Sequence, residues 1–123
     1  MNKAFIIGRL ARDPEFRLTP SGIALCRFTL ATDRFPRQDD QQTADFIRVV
    51  TWRRLAEICN EYLKKGKLIA IDGRLQVDSY EKDGEKRYSY EIIADGMQML
   101  DRGEQMQQNN SMESSNAPTF DLV

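Results

Sequence analysis

Apolar and polar residues alternate along much of the chain with the period of a β-strand. Between residues 24 and 30 every second side chain is apolar, and Arg27 and Thr29 lie on the other face. Successive side chains of a strand point to opposite faces, so this pattern predicts a strand with one buried face. Two further runs, 4–10 and 46–52, are rich in β-branched and aromatic residues and predict two more strands. The apolar positions of the alternating run are Ala24, Cys26, Phe28 and Leu30.

After the third predicted strand the apolar spacing changes to that of one helix. Apolar residues recur at i, i+3, i+4, i+7 and i+8, which places them on a single stripe that can pack against a core. We expect Lys64 and Lys65 in the last turn, where cations suit the helix dipole, and Gly66 as a left-handed cap. The stripe consists of Leu55, Ile58, Cys59, Tyr62 and Leu63.

Two more strands, 68–79 and 87–100, are predicted beyond the helix. The polar segment 81–86 between them contains Asp83-Gly84, a pair typical of a type I′ hairpin turn. Three strands, a helix and two strands is the order of an OB-type barrel. The sequence therefore predicts an all-β OB-fold, a five-stranded Greek-key barrel with one helix between strands 3 and 4.

The composition changes near residue 102. Residues 103–123 are rich in Gln, Asn, Ser and Met and show no periodic apolar pattern. Such a segment cannot bury enough apolar surface to order itself. We therefore predict one folded domain over 1–102 and a disordered C-terminal tail over 103–123.

The third predicted strand carries the chemistry. Its alternation places Ile47, Val49 and Thr51 on one face. The other face holds Phe46, Arg48, Val50 and Trp52. Leaving a large apolar side chain in water forfeits roughly 1.5–3 kcal/mol, so two outward aromatic rings need a partner. Single-stranded nucleic acid fits, because its bases stack on aromatic rings at roughly 1–3 kcal/mol per base and its phosphates need cations between them.

Other aromatic and basic residues are candidates for the same surface. Arg74 is expected to face the same way if its strand pairs beside the third one. The opposite assignment stays open, with Phe46 and Trp52 in the core and the Ile47 face at a subunit interface. A buried, unpaired Arg48 weighs against it. The predicted nucleic-acid-binding residues are Phe35, Phe46, Trp52, Tyr80, Arg34, Arg37, Arg48, Arg53, Arg54, Lys65 and Arg74.

Composition narrows the function classes. The chain has no histidine, which removes the commonest general base and zinc ligand, and its two cysteines lack metal-site spacing. We expect two buried thiols, no metal, no cofactor and no enzyme activity.

The net charge is −1, but all 18 Lys and Arg lie at or before Arg102, whereas three of the 19 acidic residues follow it. No apolar run reaches bilayer length and no signal peptide is evident, which predicts a cytoplasmic protein.

Many short motifs follow one another between Met1 and Asp101. They are Met1-Asn2-Lys3, Ile7-Gly8-Arg9-Leu10, Asp13-Pro14-Glu15, Thr19-Pro20-Ser21-Gly22, Phe28-Thr29-Leu30-Ala31, Asp45-Phe46-Ile47-Arg48-Val49-Val50, Ala56-Glu57, Tyr62-Leu63-Lys64-Lys65-Gly66 and Asp72-Gly73-Arg74-Leu75. In these motifs and their order the chain resembles the bacterial single-stranded DNA-binding protein (SSB) family. The resemblance implies an OB-fold homotetramer that coats single-stranded DNA during replication, recombination and repair, in association with the nucleoid. It also implies base stacking at Phe35, Phe46, Trp52 and Tyr80.

Two features depart from the family pattern. The family often has tryptophan at several stacking positions, whereas this chain has one, Trp52. The family commonly ends in an acidic tip closing on Pro-Phe, which docks replication and repair proteins. This chain ends in Val123, with Asp121 as the one acid among its last six residues. We therefore expect weakened recruitment of such partners.

Two rival functions remain. One is an OB module for RNA or for a protein partner, since stacking ignores the sugar. The other is an enzyme that uses carboxylates such as Asp72, Asp78 and Glu91, although scattered acids on strands are usually solvated.

Overall fold

The computed structural model describes residues 1–33 and 44–100, together with the backbone of 119–121. In these parts of the chain, the helix falls between the third and the fourth of the five longest strands, as the sequence predicts. The elements are β1 Ala4–Leu10, β2 Glu15–Leu18, β3 Ala24–Asp33, β4 Ala44–Trp52, α1 Arg53–Tyr62, β5 Leu68–Lys82, β6 Glu85–Met99 and β7 Thr119–Asp121.

Five of the strands close into a barrel. Their neighbours follow the order β1, β5, β6, β4 and β3, and β3 returns to β1 at the register pair of Arg9 with Ala31. The β4–β6 contact is parallel, and the other contacts around the barrel are antiparallel. This closed sheet with its inserted helix confirms the predicted all-β class and the OB arrangement.

Two glycines allow the strands to approach closely enough for closure. A Cβ on Gly8 would lie 2.6 Å from the carbonyl oxygen of Ala31, across the β1–β3 seam. A Cβ on Gly73 would collide with the backbone carbonyl of Ile93 in β6. Gly73 lies at the register shift between β5 and β6, where an extra residue of β6 bends the sheet. A side chain at either position would force the two backbones apart.

The barrel interior is apolar and includes one face of α1. The predicted inner face of β3 is buried, and so are Leu55, Ile58 and Cys59 of the helix stripe. Thr51 is also buried, and its hydroxyl donates a 2.9 Å hydrogen bond to the carbonyl of Cys26. The main core residues are Leu10, Ala24, Cys26, Phe28, Leu30, Val49, Leu55, Ala56, Ile58, Cys59, Leu63, Ile69, Ile71, Ile92, Ala94 and Met97.

The two cysteines are free thiols inside this core, as expected. Burial raises the pKa of Cys26 to about 11 and that of Cys59 to about 12. Both side chains therefore stay uncharged at neutral pH and act as small apolar groups.

The end of the helix differs from the prediction. Helix α1 ends at Tyr62, so Lys64 and Lys65 lie beyond its last turn, and the Tyr62 side chain is exposed. Gly66 has the predicted positive φ, at +92°, but it belongs to a separate turn in which the Lys67 N–H donates to the Lys64 carbonyl. Of the predicted stripe only Tyr62 is exposed, whereas Leu63, the residue after the helix, is buried in the core.

Three other features of the structure also differ from the prediction. The first is the short strand β2, which was not predicted. The last hairpin is tighter than expected, because β5 and β6 continue to Asp83-Gly84, whose φ angles of +54° and +79° suit a type I′ turn. Most of the predicted tail lies outside the described residues. Within it, Thr119–Asp121 forms β7, which pairs with β6 opposite residues 96–98. No helix in the described ranges has the length and apolar content to cross a bilayer.

Candidate nucleic-acid interface

Strand β4 separates its side chains into the two sets that its sequence predicts. Val49 and Thr51 are buried in the barrel and Ile47 packs against the core. On the other face Phe46 is 64% exposed and Trp52 is 39% exposed. The alternative with these two aromatic rings in the core is therefore wrong.

Between these two rings the outer face of β4 carries Arg48 and Val50. Arg48 is exposed, as predicted. Val50 departs from the expectation, because it is buried although it belongs to the outer set. Its register partners, Arg27 in β3 and Ile93 in β6, flank it on both sides. Along the strand, the outer row therefore consists of an exposed aromatic ring, an exposed guanidinium, a buried valine and a second exposed aromatic ring.

Strand β3 adds to this face a cation that was not among the predicted site residues. Arg27 is exposed and lies opposite Val50 across the β3–β4 ladder. Directly opposed residues of an antiparallel pair share a face. The alternation in β3 already placed Arg27 on the outer side, but only the register with β4 shows that it lies beside the aromatic row.

Arg74 lies on the same outer face of the barrel, but its strand is not the direct neighbour of β4 that the prediction assumed. Its strand, β5, is not the neighbour of β4, because β6 lies between them. Arg74 pairs with Ile93, and Ile93 pairs with Val50, so all three share the outer face. The guanidinium is exposed and donates one long hydrogen bond, 3.5 Å, to the side chain of Gln76.

The hairpin β5–β6 carries Tyr80 on this outer side and two further tyrosines on the opposite side. Tyr80 is exposed and pairs with Arg87. Tyr88 and Tyr90 are also exposed, but they continue the face of the core residue Ile92 beyond the end of the barrel. Neither of these two was a predicted site residue, although their period-two spacing in a strand was a usable signal.

Two grooves border the aromatic row. One, of about 440 Å³, separates β4 from the hairpin and includes Phe46, Arg48, Tyr90 and Glu91 among its lining residues. The other, of about 380 Å³, lies at the far end of the row and is lined by Trp52, Arg53, Arg54, Leu55, Ile93, Ala94 and Asp95. Aromatic surface and guanidinium groups thus meet at both ends, an arrangement that suits flat bases joined by anionic links.

A tight connection places Arg53 and Arg54 in the second groove. Helix α1 begins directly after β4, and the change of direction occurs at Arg53, whose φ is +60°. A residue with a side chain pays roughly 1–2 kcal/mol in this left-handed region. The strained turn brings both guanidinium-bearing residues beside Trp52.

The structure says less about the positions of the remaining predicted site residues. Lys65 is exposed, and its backbone N–H donates a 2.8 Å hydrogen bond to the carboxylate of Asp13. Arg34, Phe35 and Arg37 lie outside the described residues. Among residues 1–33 and 44–100, no group of three or more His, Cys, Asp or Glu is arranged to hold a metal ion.

Comparison with known proteins identifies the family to which this barrel belongs. Residues 1–100 match the sequence model of the single-strand binding protein family. The chain is therefore a member of that family.

Several named relatives are close in sequence. The chain is 48% identical over 114 residues to "Single-stranded DNA-binding protein 3" of Clostridium acetobutylicum, a match that covers 91% of this chain and 78% of the relative. It is 47% identical over 103 residues to the "Single-stranded DNA-binding protein" of Bacillus cereus, covering 82% of this chain and 61% of the relative. A relative of the same name from Thermotoga maritima is 48% identical over 105 residues, a match that covers 82% of this chain and 74% of the relative. The shared region of the Bacillus protein is thus about three-fifths of its length.

Proposed function

We propose that this protein binds and coats single-stranded DNA, largely without regard to sequence, during replication, recombination and repair. The observation that carries the proposal is the outer row of β4, where Phe46 and Trp52 are exposed with Arg48 between them. Membership of the single-strand binding protein family, with relatives named for binding single-stranded DNA, supports it. The role is one of binding rather than catalysis, and its place of action is the bacterial cytoplasm, with the nucleoid.

Stacking supplies the affinity and explains the tolerance of sequence. Every base has a π-face, so a ring such as Phe46 or Trp52 accepts any of them, at roughly 1–3 kcal/mol per base, a range measured on proteins of this class. The two rings are six residues apart in one strand, or about 20 Å at roughly 3.3 Å per residue. That is several times the 3.4 Å rise of stacked DNA, so the bases on the two rings are not stacked neighbours.

The stretch of bound DNA that runs between the two rings presents its phosphates to the protein. Arg48 lies in the row, Arg27 lies beside it, and Arg53 and Arg54 follow Trp52. Arg74 and Tyr80 extend the surface onto the hairpin, and Arg34, Phe35, Arg37 and Lys65 complete the proposed set of contacts. A chain of alternating stacking and charge contacts holds an extended strand and cannot hold a duplex, whose bases are already paired.

Fluorescence of the sole tryptophan, Trp52, tests this function directly. Titration of the full chain with poly-dT should quench the emission through stacking, while a duplex of matched length should quench far less. A matched RNA oligonucleotide in competition distinguishes DNA binding from general OB binding. Unchanged emission and no mobility shift at saturating poly-dT would overturn the proposal.

We also propose that the protein is a homotetramer. The outer face of β1 bears Phe5 and Ile7, which are 77% and 61% exposed, and Ile7 lies opposite Ala70 of β5. Exposed apolar side chains that adjoin one another are typical of a subunit contact. Sedimentation of the full chain should show one species of four chains, and Phe5→Ser/Ile7→Ser should dissociate it. A monomeric wild type at micromolar concentration would contradict the proposal.

The proposed DNA-binding domain ends near residue 102, and the tail contributes little to binding. The family match stops at residue 100. A chain lacking 103–123 should therefore bind poly-dT as the full chain does.

A further inference from the structure

Three guanidinium groups from three separate segments converge on one small depression at the side of the aromatic row. Arg12 comes from the β1–β2 turn, Arg27 from β3 and Arg48 from β4. The depression measures about 130 Å³, roughly the share of four water molecules in the liquid, which suits one phosphate group. Arg12 was not a predicted site residue, and its distance from the others in sequence hides the cluster.

The fold holds the three segments in a defined arrangement. The N–H of Ala11 donates a 2.8 Å hydrogen bond to the carbonyl of Thr29, which ties the residue before Arg12 to β3. Thr29 in turn is the register partner of Arg48. Because Arg27 pairs with Val50, Arg27 and Arg48 are diagonal neighbours on one face, about 7–8 Å apart at their Cα atoms.

The guanidinium groups of the cluster lack polar partners within the described chain. None of the three forms a hydrogen bond or an ion pair with another described residue. Two carboxylates, Asp13 and Glu15, also line the depression, so three positive groups face two negative ones and a positive excess remains. Like charges gathered at one place repel each other, and an anion placed among them removes that cost.

We propose that Arg12, Arg27 and Arg48 form a shared subsite for a single backbone phosphate of the bound strand. This inference rests on the proposed function, and it adds a path for the DNA. Between the bases on Trp52 and Phe46, the backbone turns towards β3 and the β1–β2 turn and places one phosphate in the depression. Planar guanidinium groups suit this role, because each can donate two hydrogen bonds to phosphate oxygens.

The test compares the full-length wild type with Arg12→Gln/Arg27→Gln, which leaves both rings and Arg48 in place. Affinity for a dT oligonucleotide is measured over a series of salt concentrations. The control, Lys3→Gln/Lys64→Gln, removes two exposed positive charges that do not line the depression. We expect about tenfold weaker binding for the arginine variant, as for the loss of charged hydrogen bonds. The log–log salt slope should fall by about 0.7, the value for one single-strand phosphate, with little change in the control.

A second measurement locates the phosphate. Oligonucleotides that carry one neutral methylphosphonate linkage, moved position by position, should weaken wild-type binding most at one linkage. In the arginine variant that particular loss should be much smaller, because two of the three guanidinium groups that contact this phosphate are already absent.

Each outcome decides a separate question. A slope change near 1.4 would mean two independent phosphate contacts and would overturn the shared subsite. A change equal to that of the lysine control would remove the depression from the DNA path. Both results leave the proposed function intact, provided that the wild type binds. A wild type that fails to bind the dT oligonucleotide contradicts the proposed function itself.

Discussion

Two phenylalanines on neighbouring strands of the barrel have opposite environments. Phe28 on β3 is 4% exposed and packs in the core, whereas Phe46 on β4 is 64% exposed on the outer surface. Both strands alternate, and both residues contribute the same apolar ring. The difference is the face, so the same side chain stabilises the fold in one place and is available to a ligand in the other.

The same division separates the cationic groups from the thiols. The inner face of the β3–β4 pair contains Cys26 and Thr51, joined by a hydrogen bond within the barrel. The outer face carries Arg27 and Arg48, exposed and without a partner among the described residues. A folded protein gains little from unpaired cations beside bare aromatic rings. Their combination supports the proposed binding role of the outer face, whereas the inner face is packed in the core.

The largest effect should come from removing the inner ring. Phe28→Ala is expected to lower the free energy of unfolding by about 3–5 kcal/mol, because the lost contacts leave a cavity that the barrel cannot close. Urea unfolding measures it. The variant should still bind poly-dT with near wild-type affinity under conditions where it remains folded. A loss below about 1 kcal/mol would place Phe28 at a surface.

Removing the outer rings should have the reverse signature. Phe46→Ala and Trp52→Ala are each expected to cost roughly 1–3 kcal/mol of binding free energy while the unfolding midpoint changes little. Binding can be followed by fluorescence anisotropy of a labelled dT oligonucleotide, which does not need the tryptophan. If either variant instead unfolded as readily as Phe28→Ala, the division between the two faces would be lost.

The buried thiols of the core should make the free energy of unfolding depend on pH. Their folded pKa values, about 11 for Cys26 and about 12 for Cys59, exceed the ordinary 9.0 because burial disfavours the thiolate. The unfolded chain therefore releases these protons first, and stability present below pH 9 is lost as the pH rises towards 11–12. Between pH 9 and 10 the loss should be about 1 kcal/mol per thiol.

Urea unfolding at pH 9 and pH 10, under reducing conditions, measures this loss. Cys26→Ala/Cys59→Ala is the control, because it lacks both thiols and retains every other alkaline effect. The double variant should lose clearly less stability between the two pH values. An equal loss in both proteins would assign the alkaline sensitivity to other groups.

The smallest expected effect concerns the end of the outer row. Arg53 has a φ of +60°, so Arg53→Gly should relieve strain and leave the protein equally stable or more stable by about 1 kcal/mol. The same change removes a guanidinium and should weaken DNA binding. Arg53→Ala separates the two effects, because it removes the charge but retains the strain. Equal stability of the glycine and alanine variants would show that the left-handed turn carries no cost.

Local patterns predicted much of this protein correctly. Alternation in β3 and β4 identified the inner face, and it placed Phe46, Arg48 and Trp52 outside. The Asp83-Gly84 pair identified the hairpin turn, since few residues other than glycine and asparagine or aspartate adopt two successive positive φ angles. These features depend on neighbours a few residues apart, so they can be read along the chain. The residues that stack and bind phosphate in the proposed site remain predictions.

Other features depended on contacts between segments that are distant in sequence. Val50 is buried because register pairing sets Arg27 on one side of it and Ile93 on the other. Tyr62 is exposed although it continues the apolar stripe of α1, whereas the next residue, Leu63, is buried in the core. No spacing along the chain specifies which strand lies beside another, and β6, rather than β5, lies next to β4.

The sequence by itself determined which residues alternate, where the chain turns and which side chains are candidates for the outer face. The tertiary structure decided which of them meet. Arg12, Arg27 and Arg48 are at most 36 positions apart in the chain, yet only barrel closure and strand register bring them to one depression. The physical reason is that period and propensity act over a few residues. Long-range pairing is selected by how all the strands bury their inner faces together.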